Sequence, residues 1–418
     1  MRPIHRARPV LAVALAAWIL FGCSSSGEPA TVAGDAADEA ATETTTTQPE
    51  PSLLEEELSA LAVPVFHATD NPVALSEWGQ LAVSDGELVL SDGITPYALN
   101  SALFSDYTQK LRTVWLPEGS PPATYDAEES LDFPVGTVIT KTFYYPLPEG
   151  ASATDLRVAK GAAAAETLAE PINLSSVRLV ETRILAHRET GWVALPYVWN
   201  DEQTEATLSR TGDLVRLTLV DAEENTETQF PYVVPNTNQC SGCHATNHTT
   251  KEILPIGPKV RHLNLDVDLG GGLMPQLALW QDLGIVGELP ADDEVPKSAA
   301  WEDPSIPLND RARAYLDINC AHCHNKNGPA DTSGLFLEYS TQLGPRLGIC
   351  KPPIAAGTGT GNRRVGIDPG EPDESIFIFR METADPGAMM PELGRALAHQ
   401  EGVDLVSEWI ESLDGDCG

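Results

Sequence analysis

Two short motifs in the chain combine residue types that can carry out chemistry together. Each places two cysteines one helical turn apart, with a histidine directly after the second. Cys-x-x-Cys-His is the attachment signature of c-type haem: each cysteine forms a thioether to a vinyl group, and the histidine ligates the iron. The sequence therefore predicts two covalently bound haem c groups. The predicted attachment and ligand residues are Cys240, Cys243, His244, Cys320, Cys323 and His324.

Other uses of a Cys-x-x-Cys pair fit this chain less well. A redox disulfide is typical of a thioredoxin-like βαβ unit, which the surrounding sequence lacks. A zinc site would have to pool the two motifs, and the spacing between them is long for one compact site. Chance is the remaining alternative, and two copies of the motif in a chain with only 7 cysteines disfavour it.

The second haem has a candidate sixth ligand on a methionine-proline loop, Pro386-Gly-Ala-Met-Met-Pro-Glu-Leu-Gly. A methionine on such a loop can reach the far face of the haem and donate its sulfur to the iron. Met390 is favoured as this metal ligand because Pro391 directly follows it, and Met389 is the alternative. His/Met ligation raises the reduction potential and suits reversible one-electron transfer. The competing interpretation is that both methionines fill gaps in a core.

The sixth ligand of the first haem is less well defined by the sequence. Met274 is also followed by a proline and lies a short distance beyond His244, so it is the favoured metal ligand. His262 is the second candidate. His248 follows His244 too closely to cross to the other face of the haem. An open, five-coordinate iron is the third interpretation, and it would permit chemistry beyond simple electron transfer.

The N-terminus carries the features of an export signal. A basic start is followed by an apolar run at 10–22, which is too short to span a bilayer but suits a signal peptide. Leu20-Phe-Gly-Cys resembles a bacterial lipobox, in which Cys23 is lipidated; an ordinary signal with an incidental cysteine is the alternative. Ser24 stands where inner-membrane retention usually requires Asp, which favours the outer membrane. We expect a lipid-anchored, periplasmic protein of the cell envelope.

Acidic residues dominate the charge of the chain. It has 61 Asp and Glu against 26 Lys and Arg, for a formal net charge of −35. This balance disfavours nucleic acid and anionic lipid headgroups as partners and favours basic proteins, although plain solubility also accounts for most of these carboxylates. The expected partners are redox proteins of the periplasm or envelope, with the membrane contacted through the lipid anchor only.

The remaining two cysteines are Cys350 and Cys417. Lipidation uses one cysteine and haem attachment uses four, so these two are left over from the total of 7. In an oxidising periplasm they are expected to form a disulfide. Free or separately buried thiols are the alternative, because a sequence does not fix connectivity.

Composition and periodicity divide the chain into five segments. Residues 1–22 are the signal peptide, and 23–55 form a polar, disordered tether. Residues 60–235 read mainly as strands, with a hairpin turn at Glu189-Thr-Gly, and predict an antiparallel, sandwich or jelly-roll-like domain. Residues 236–295 are the first haem region, and 305–418 the second cytochrome c domain, with a helix at each end. The predicted fold is therefore multidomain α+β: a β-rich domain followed by two mainly α-helical haem domains.

The run from about residue 100 to residue 411 resembles a family of bacterial diheme c-type cytochromes that are often lipoproteins. The resemblance implies haem binding and electron transfer, with an N-terminal β-rich region that docks a companion exported protein. The matching pieces are Leu103-Phe-Ser-Asp-Tyr, Phe133-Pro-Val-Gly-Thr, Trp192-Val-Ala-Leu-Pro-Tyr-Val-Trp-Asn, Asn238-Gln-Cys-Ser-Gly-Cys-His, Pro255-Ile-Gly-Pro-Lys, Asn319-Cys-Ala-His-Cys-His-Asn and Pro386-Gly-Ala-Met-Met-Pro-Glu-Leu-Gly.

Three classes of function are compatible with these features. The favoured one is an electron carrier, in which two haems pass single electrons between envelope proteins through brief encounters. The alternative is a diheme enzyme of the peroxidase type, in which one haem supplies electrons to a second, open iron. The third is a β-domain binding module with accessory haems. No set of residues in the chain predicts a catalytic acid or base.

Overall fold

A six-stranded antiparallel sheet lies at the centre of the computed structural model, which describes residues 63–161, 168, 171–354 and 356–418. The signal peptide, the tether and Cys23 lie outside these residues. The strands are β1 (Leu81–Ser84), β2 (Glu87–Leu90), β3 (Thr95–Pro96), β4 (Gln109–Trp115), β5 (Val138–Pro146), β6 (Arg157–Ala159), β7 (Ile172–Asn173), β8 (Val177–Arg188), β9 (Gly191–Trp199), β10 (Ala206–Leu208), β11 (Asp213–Asp221), β12 (Thr226–Val234), β13 (Asp266–Asp268) and β14 (Leu273–Pro275).

The central sheet has the order β10-β9-β8-β5-β4-β3. Its long strands are rich in β-branched and aromatic residues, which favour a pleated, half-buried surface. The turn predicted at Glu189-Thr-Gly joins β8 to β9, and Arg188 pairs with Gly191 across it. Gly191 has a φ of 98°, a conformation that L side chains rarely adopt.

The two faces of the central sheet have different neighbours. One face packs on the small β1-β2-β7 sheet around the fully buried Trp78 and Tyr197, whose side chains share a 2.7 Å hydrogen bond. Part of the other face packs on the β12-β11-β6 sheet through a cluster that includes Tyr145 and Tyr232. The rest of that second face is available to line the site described below.

Short helices follow the strands. They are α1 (Thr237–His244), α2 (Val260–Leu263), α3 (Gln276–Asp282), α4 (Leu308–Leu316), α5 (Ile376–Glu382) and α6 (Gln400–Glu411). Helices α2 and α3 pack against the central sheet, with Val260 and Trp280 in one core with Phe133 and Ile139. Helices α4 and α6 form a separate core around Trp409. No helix in the described part of the chain is both long enough and apolar enough to cross a membrane.

The predicted fold class is wrong: there are no two mainly α-helical haem domains in the described chain, which is mainly β with few, short helices. Between residues 325 and 375, frequent glycines and prolines interrupt any helix, because glycine costs backbone entropy and proline removes a donor. This stretch instead forms single 3₁₀ turns, such as Pro345–Leu347 and Gly357–Thr360. The first haem region, residues 236–295, likewise contains the β13-β14 hairpin and only the three short helices α1, α2 and α3.

The Leu103-Phe-Ser-Asp-Tyr segment ties the central sheet to the C-terminal region. Asp106 is 2% exposed and accepts hydrogen bonds from the backbone N–H groups of Ala396 and Leu397, both at 2.8 Å. Its own carbonyl accepts from the Tyr145 hydroxyl at 2.6 Å. Asp106 and Tyr107 have positive φ values of 49° and 64°, which cost non-glycine residues about 1–3 kcal/mol each. These bonds hold the strained backbone in place.

Asp106→Asn is expected to remove a pH dependence of stability. Burial raises the pKa of Asp106 from 3.8 to about 6, although the Leu397 and Ala396 N–H groups favour the carboxylate. Between about pH 4 and 6 the folded protein therefore holds a proton on Asp106 that the unfolded chain has lost. The free energy of unfolding falls by about 3 kcal/mol as the pH rises across this range. Asparagine keeps the acceptor oxygen without the charge. Urea unfolding at pH 4.5, 6 and 7.5 should show a smaller loss of stability with pH.

The matched control is Asp85→Asn, since Asp85 is exposed and has a similar φ of 50°. This substitution should leave the pH dependence of the unfolding free energy as it is in the parent protein. An Asp106→Asn variant whose stability falls with pH as steeply as the parent's would contradict the assignment.

Candidate functional site

The first Cys-x-x-Cys-His motif lies on α1, a helix whose start is fixed by its own side chains. Asn236 accepts from the Gln239 backbone N–H at 2.9 Å, and the Gln239 side chain accepts from the Asn236 N–H at 3.0 Å. This reciprocal capping satisfies two backbone donors that a helix start leaves unpaired. Cys240, Cys243 and His244 follow within the same eight-residue helix, so the motif adopts the helical turn that its spacing predicts.

The second motif begins in a π-helical turn, Asp317–Ala321, that continues directly from α4. Such wide turns are rare and frequently occur at functional sites. Asn319 holds the turn in place: its amide nitrogen donates to the Tyr315 carbonyl at 3.0 Å, and its oxygen accepts from the Phe104 N–H at 2.8 Å. The turn thus connects the second motif to the same Leu103-Phe-Ser-Asp-Tyr segment that contacts the C-terminal region.

The two motifs meet in one cavity of about 840 Å³, although a long stretch of sequence separates them. The motifs are in direct contact, because the Cys323 thiol lies 3.6 Å from the Gly242 carbonyl, next to Cys243. His248 reinforces this contact, because its backbone N–H donates to the Asn327 carbonyl at 2.8 Å. The motif residues that line the cavity are Cys240, Cys243, His244, Cys320, Cys323 and His324, and all four cysteines are free thiols.

Both motif histidines are arranged to present a free ring nitrogen. His244 Nδ1 donates to the Leu254 carbonyl at 2.7 Å, which leaves Nε2 unprotonated in the neutral ring. His324 Nδ1 lies 3.4 Å from Ser333 Oγ, whose own hydrogen is donated to the Ala330 carbonyl. A bond from the second ring nitrogen to a carbonyl or hydroxyl is the usual way to orient a metal-binding imidazole.

The histidines are also neutral at physiological pH. Burial lowers the pKa of His244 to about 4, with a further contribution from the charge of Lys141, and the Leu254 hydrogen bond only partly opposes it. Burial, followed by the charges of His322 and Arg380, lowers the pKa of His324 to about 4. A metal ligand must be unprotonated, so both rings are in the state that iron requires.

His322 is a site residue that the sequence analysis missed. It is 8% exposed, lines the cavity, and its Nδ1 atom has no hydrogen-bond partner among the described residues. A hydrogen bond from Cys323 lowers the pKa of the Cys243 thiol, and a hydrogen bond from His322 lowers it further. The signal was present as a second histidine inside the second motif. Its position between the motifs makes it part of the contact that joins them.

The methionine loop brings Met390 to the cavity. Met390 and Pro391 line the cavity, whereas the adjacent Met389 is 8% exposed and does not line it. Arg395 fixes the loop, because its guanidinium donates to the carbonyls of Met390 at 3.1 Å and of Arg380 at 3.0 Å. Met390 and His324 therefore line the same cavity, and their ligation of one iron stays a prediction.

The two candidate ligands for the first haem are not brought to the cavity. Met274 lies in β14, paired with Val267 of β13, and does not line the cavity. His262 is 1% exposed, and its Nε2 atom lies 2.8 Å from Asp317 Oδ2. Burial raises the pKa of Asp317, but the hydrogen bond and charge of His262 outweigh it and bring it to about 2. His262 thus braces the second motif, and Met274 as a ligand stays a prediction without geometric support.

The remaining predicted site residues lie apart from the cavity. Cys350 and Cys417 are joined in a disulfide, which ties the C-terminus to the loop at Cys350. The backbone N–H of Cys350 in turn donates to the Ile367 carbonyl. The sequence analysis also missed the basic residues Arg112, Lys141 and Arg183, which line the cavity from the central sheet. Their alternation with apolar residues in β4 and β5 was the signal, since residues two apart in a strand share a face.

Comparison with known proteins gives no match for the chain, whether with protein-family profiles, curated proteins or solved structures. Within residues 63–161, 168, 171–354 and 356–418, no group of three or more His, Cys, Asp or Glu side chains is arranged to hold a metal ion. The resemblance to diheme cytochromes stays a prediction from the sequence.

The residues present fit covalently held haem. Each motif offers two free thiols and one neutral imidazole with an available nitrogen, which is the donor set of haem c. The cavity volume lies within the roughly 300–1,000 Å³ typical of cofactor sites. Its lining joins apolar side chains, among them Leu99, Leu337 and Phe377, to the cations of the central sheet, a combination suited to a flat apolar ring with acidic substituents.

Met390→Leu and Met389→Leu form a matched pair that tests the methionine loop. Since Met390 lines the cavity and Met389 does not, only Met390→Leu should abolish the far-red absorption band of ferric iron–methionine ligation. Leucine is similar in volume to methionine, so each change should cost less than about 1.5 kcal/mol of stability. Visible spectra of the two purified, haem-loaded variants decide the matter. Loss of the band in Met389→Leu, with the band retained in Met390→Leu, would contradict the assignment.

Proposed function

We propose that the chain is an exported diheme c-type cytochrome that transfers single electrons between proteins of the bacterial envelope. The observation that carries the proposal is the meeting of both Cys-x-x-Cys-His motifs in one cavity, with the Cys323 thiol 3.6 Å from the Gly242 carbonyl. Bound haem would supply a one-electron ferric/ferrous couple at each motif. Two such groups attached to touching motifs could exchange electrons over a very short distance.

Each residue of the site has a definite task in this proposal. The four cysteines would hold the two haems covalently, and His244 and His324 would each bind an iron through the nitrogen that their hydrogen bonds leave free. Met390 would complete the coordination of the second iron from its loop, which Arg395 holds in place. Together these groups would keep the second iron six-coordinate in both oxidation states, which suits reversible electron transfer.

The lipobox-like Cys23 and the net charge of the chain indicate the location and the partners. The lipobox-like Cys23, outside the described residues, would anchor the protein to a membrane, with the outer membrane favoured. The net charge of −35 would steer basic redox proteins towards the surface and repel nucleic acid. Such encounters are short-lived, as electron transfer between proteins requires.

A second candidate function is a diheme enzyme of the peroxidase type. It is favoured by one observation: neither Met274 nor His262 lines the cavity, so neither predicted ligand is placed at the first iron. An iron held by His244 alone would be open to a small molecule. The electron-carrier proposal then requires a sixth ligand from another residue of the cavity lining.

Binding of carbon monoxide to the ferrous, haem-loaded protein separates the two functions. The carrier proposal predicts that intact mass shows two covalent haems and that neither binds carbon monoxide readily. Met390→Leu is the positive control, since it should open the second iron and bind one equivalent. Stoichiometric binding by the parent protein at the first haem would support the enzyme instead. A mature protein without covalent haem would overturn both.

A further inference from the structure

Three basic residues stand in a row across the centre of the main sheet. Arg112 of β4 pairs in register with Lys141 of β5, and Lys141 pairs in register with Arg183 of β8. All three line the cavity. We refer to Arg112, Lys141 and Arg183 as the cationic row. Since directly opposite residues on neighbouring strands lie about 4.5–5.5 Å apart at Cβ, the row concentrates positive charge on one patch of the cavity wall.

The three charges of the cationic row repel one another. Like charges directly opposite each other in a sheet are destabilising, and the cost rises where water is excluded. Arg112 is only 2% exposed. The ring of Phe143, one pleat along β5, offers a partial remedy, with Lys141 at 5.1 Å and Arg183 at 4.4 Å from its centre. Such contacts contribute about 1–2 kcal/mol and do not neutralise a charge.

Glu181 is committed to one end of the row. It is fully buried and already engages Arg183 through both carboxylate oxygens, at 2.8 Å and 2.5 Å. It also accepts a hydrogen bond from the Tyr232 hydroxyl at 2.7 Å. The Lys141 side chain, at the middle of the row, makes no hydrogen bond or ion pair with any described residue. Burial, followed by the charges of Arg183 and Arg112, lowers the pKa of Lys141, and an anion in the cavity would counter both effects.

The row lies next to the first motif rather than the second. Helix α1 packs against β9, the neighbour of β8 in the central sheet. Arg183 lies on β8, which pairs along its length with β9, so α1 covers the strand directly beside the row. An anion bound at the row would therefore belong to a ligand held at the first motif.

We propose that the cationic row binds the propionate carboxylates of the haem attached at Cys240 and Cys243. The inference rests on the proposed function and names the residues that orient its first cofactor. Lys141 would supply an ammonium donor and a point charge, with the guanidinium of Arg112 beside it. Arg183 would add its charge, since its Nε and Nη2 already donate to Glu181. The row would fix the rotation of the ring about the His244–iron axis and compensate the charge of its acidic edge. A free carboxylate in the cavity would use the same chemistry.

The test uses Lys141→Met, which removes the charge, and Lys141→Arg, which keeps it. Without the Lys141 cation, the propionates would stabilise ferric iron more strongly, because their charge would be less compensated. Potentiometric titration should show a tenfold shift of the first haem's ferric/ferrous ratio towards ferric, about 59 mV lower in potential. Lys141→Arg should shift the ratio less than threefold. Lys326→Met is the control, an exposed lysine beyond the second motif, and should behave as the parent.

A second measurement identifies the anion directly in the parent protein. With ¹⁵N-labelled lysine and haem labelled with ¹³C in its propionates, solid-state NMR should detect a lysine–propionate dipolar coupling that Lys141→Arg abolishes. Absence of any such coupling in the parent would overturn the inference. It would also be overturned if added acetate changed the first haem's potential in the parent but not in Lys141→Met, because the row would then hold a free carboxylate.

Failure of the inference and failure of the proposed function are distinguishable. If the intact mass shows no covalent haem, the proposed function fails before the row is tested. If both haems are attached and Lys141→Met keeps the parent potential, only the assignment of the row fails. Should Lys141→Met not accumulate, the coupling measured in the parent still decides the matter.

Discussion

The contact between the two motifs, where the Cys323 thiol lies 3.6 Å from the Gly242 carbonyl, sets the constraint that the surrounding structure has to meet. Helix α1, which follows β12, and the π-helical turn after α4 must be held side by side. Buried polar bonds fix the second of these: Asn319 to Phe104, and Asp317 to His262. Removing one partner of such a bond is costly, because the other polar group stays buried without a partner.

The central sheet takes a direct part in the site, because it forms a wall of the shared cavity. Its strands can therefore carry Arg112 and Lys141 into the site. Phe104 and Asp106, on the segment before β4, connect that wall to the second motif and to the methionine loop. The strained backbone at Asp106 is consistent with a segment held from several sides.

Local chemistry was predictable from the sequence, and long-range placement was not. The motif spacing predicted a helical turn at Cys240–His244, the turn at Gly191 predicted a hairpin, and two leftover cysteines predicted the Cys350–Cys417 pair, because each depends on neighbouring residues or on counting. Short amphipathic runs suggested helical domains, but the Gly- and Pro-rich stretch between α4 and α5 prevents them. The meeting of the motifs and the burial of His262 depend on tertiary contacts that no local pattern encodes.

The central claim is that the two motifs proposed to attach haem touch, and electron paramagnetic resonance of the fully ferric protein tests it most directly. The reference is the sum of the spectra of two single-haem variants, Cys240→Ala/Cys243→Ala and Cys320→Ala/Cys323→Ala. Haems attached to touching motifs should be magnetically coupled, so the spectrum of the parent should be broadened and displaced from that sum. A parent spectrum equal to the sum would show two independent haems and would contradict the account.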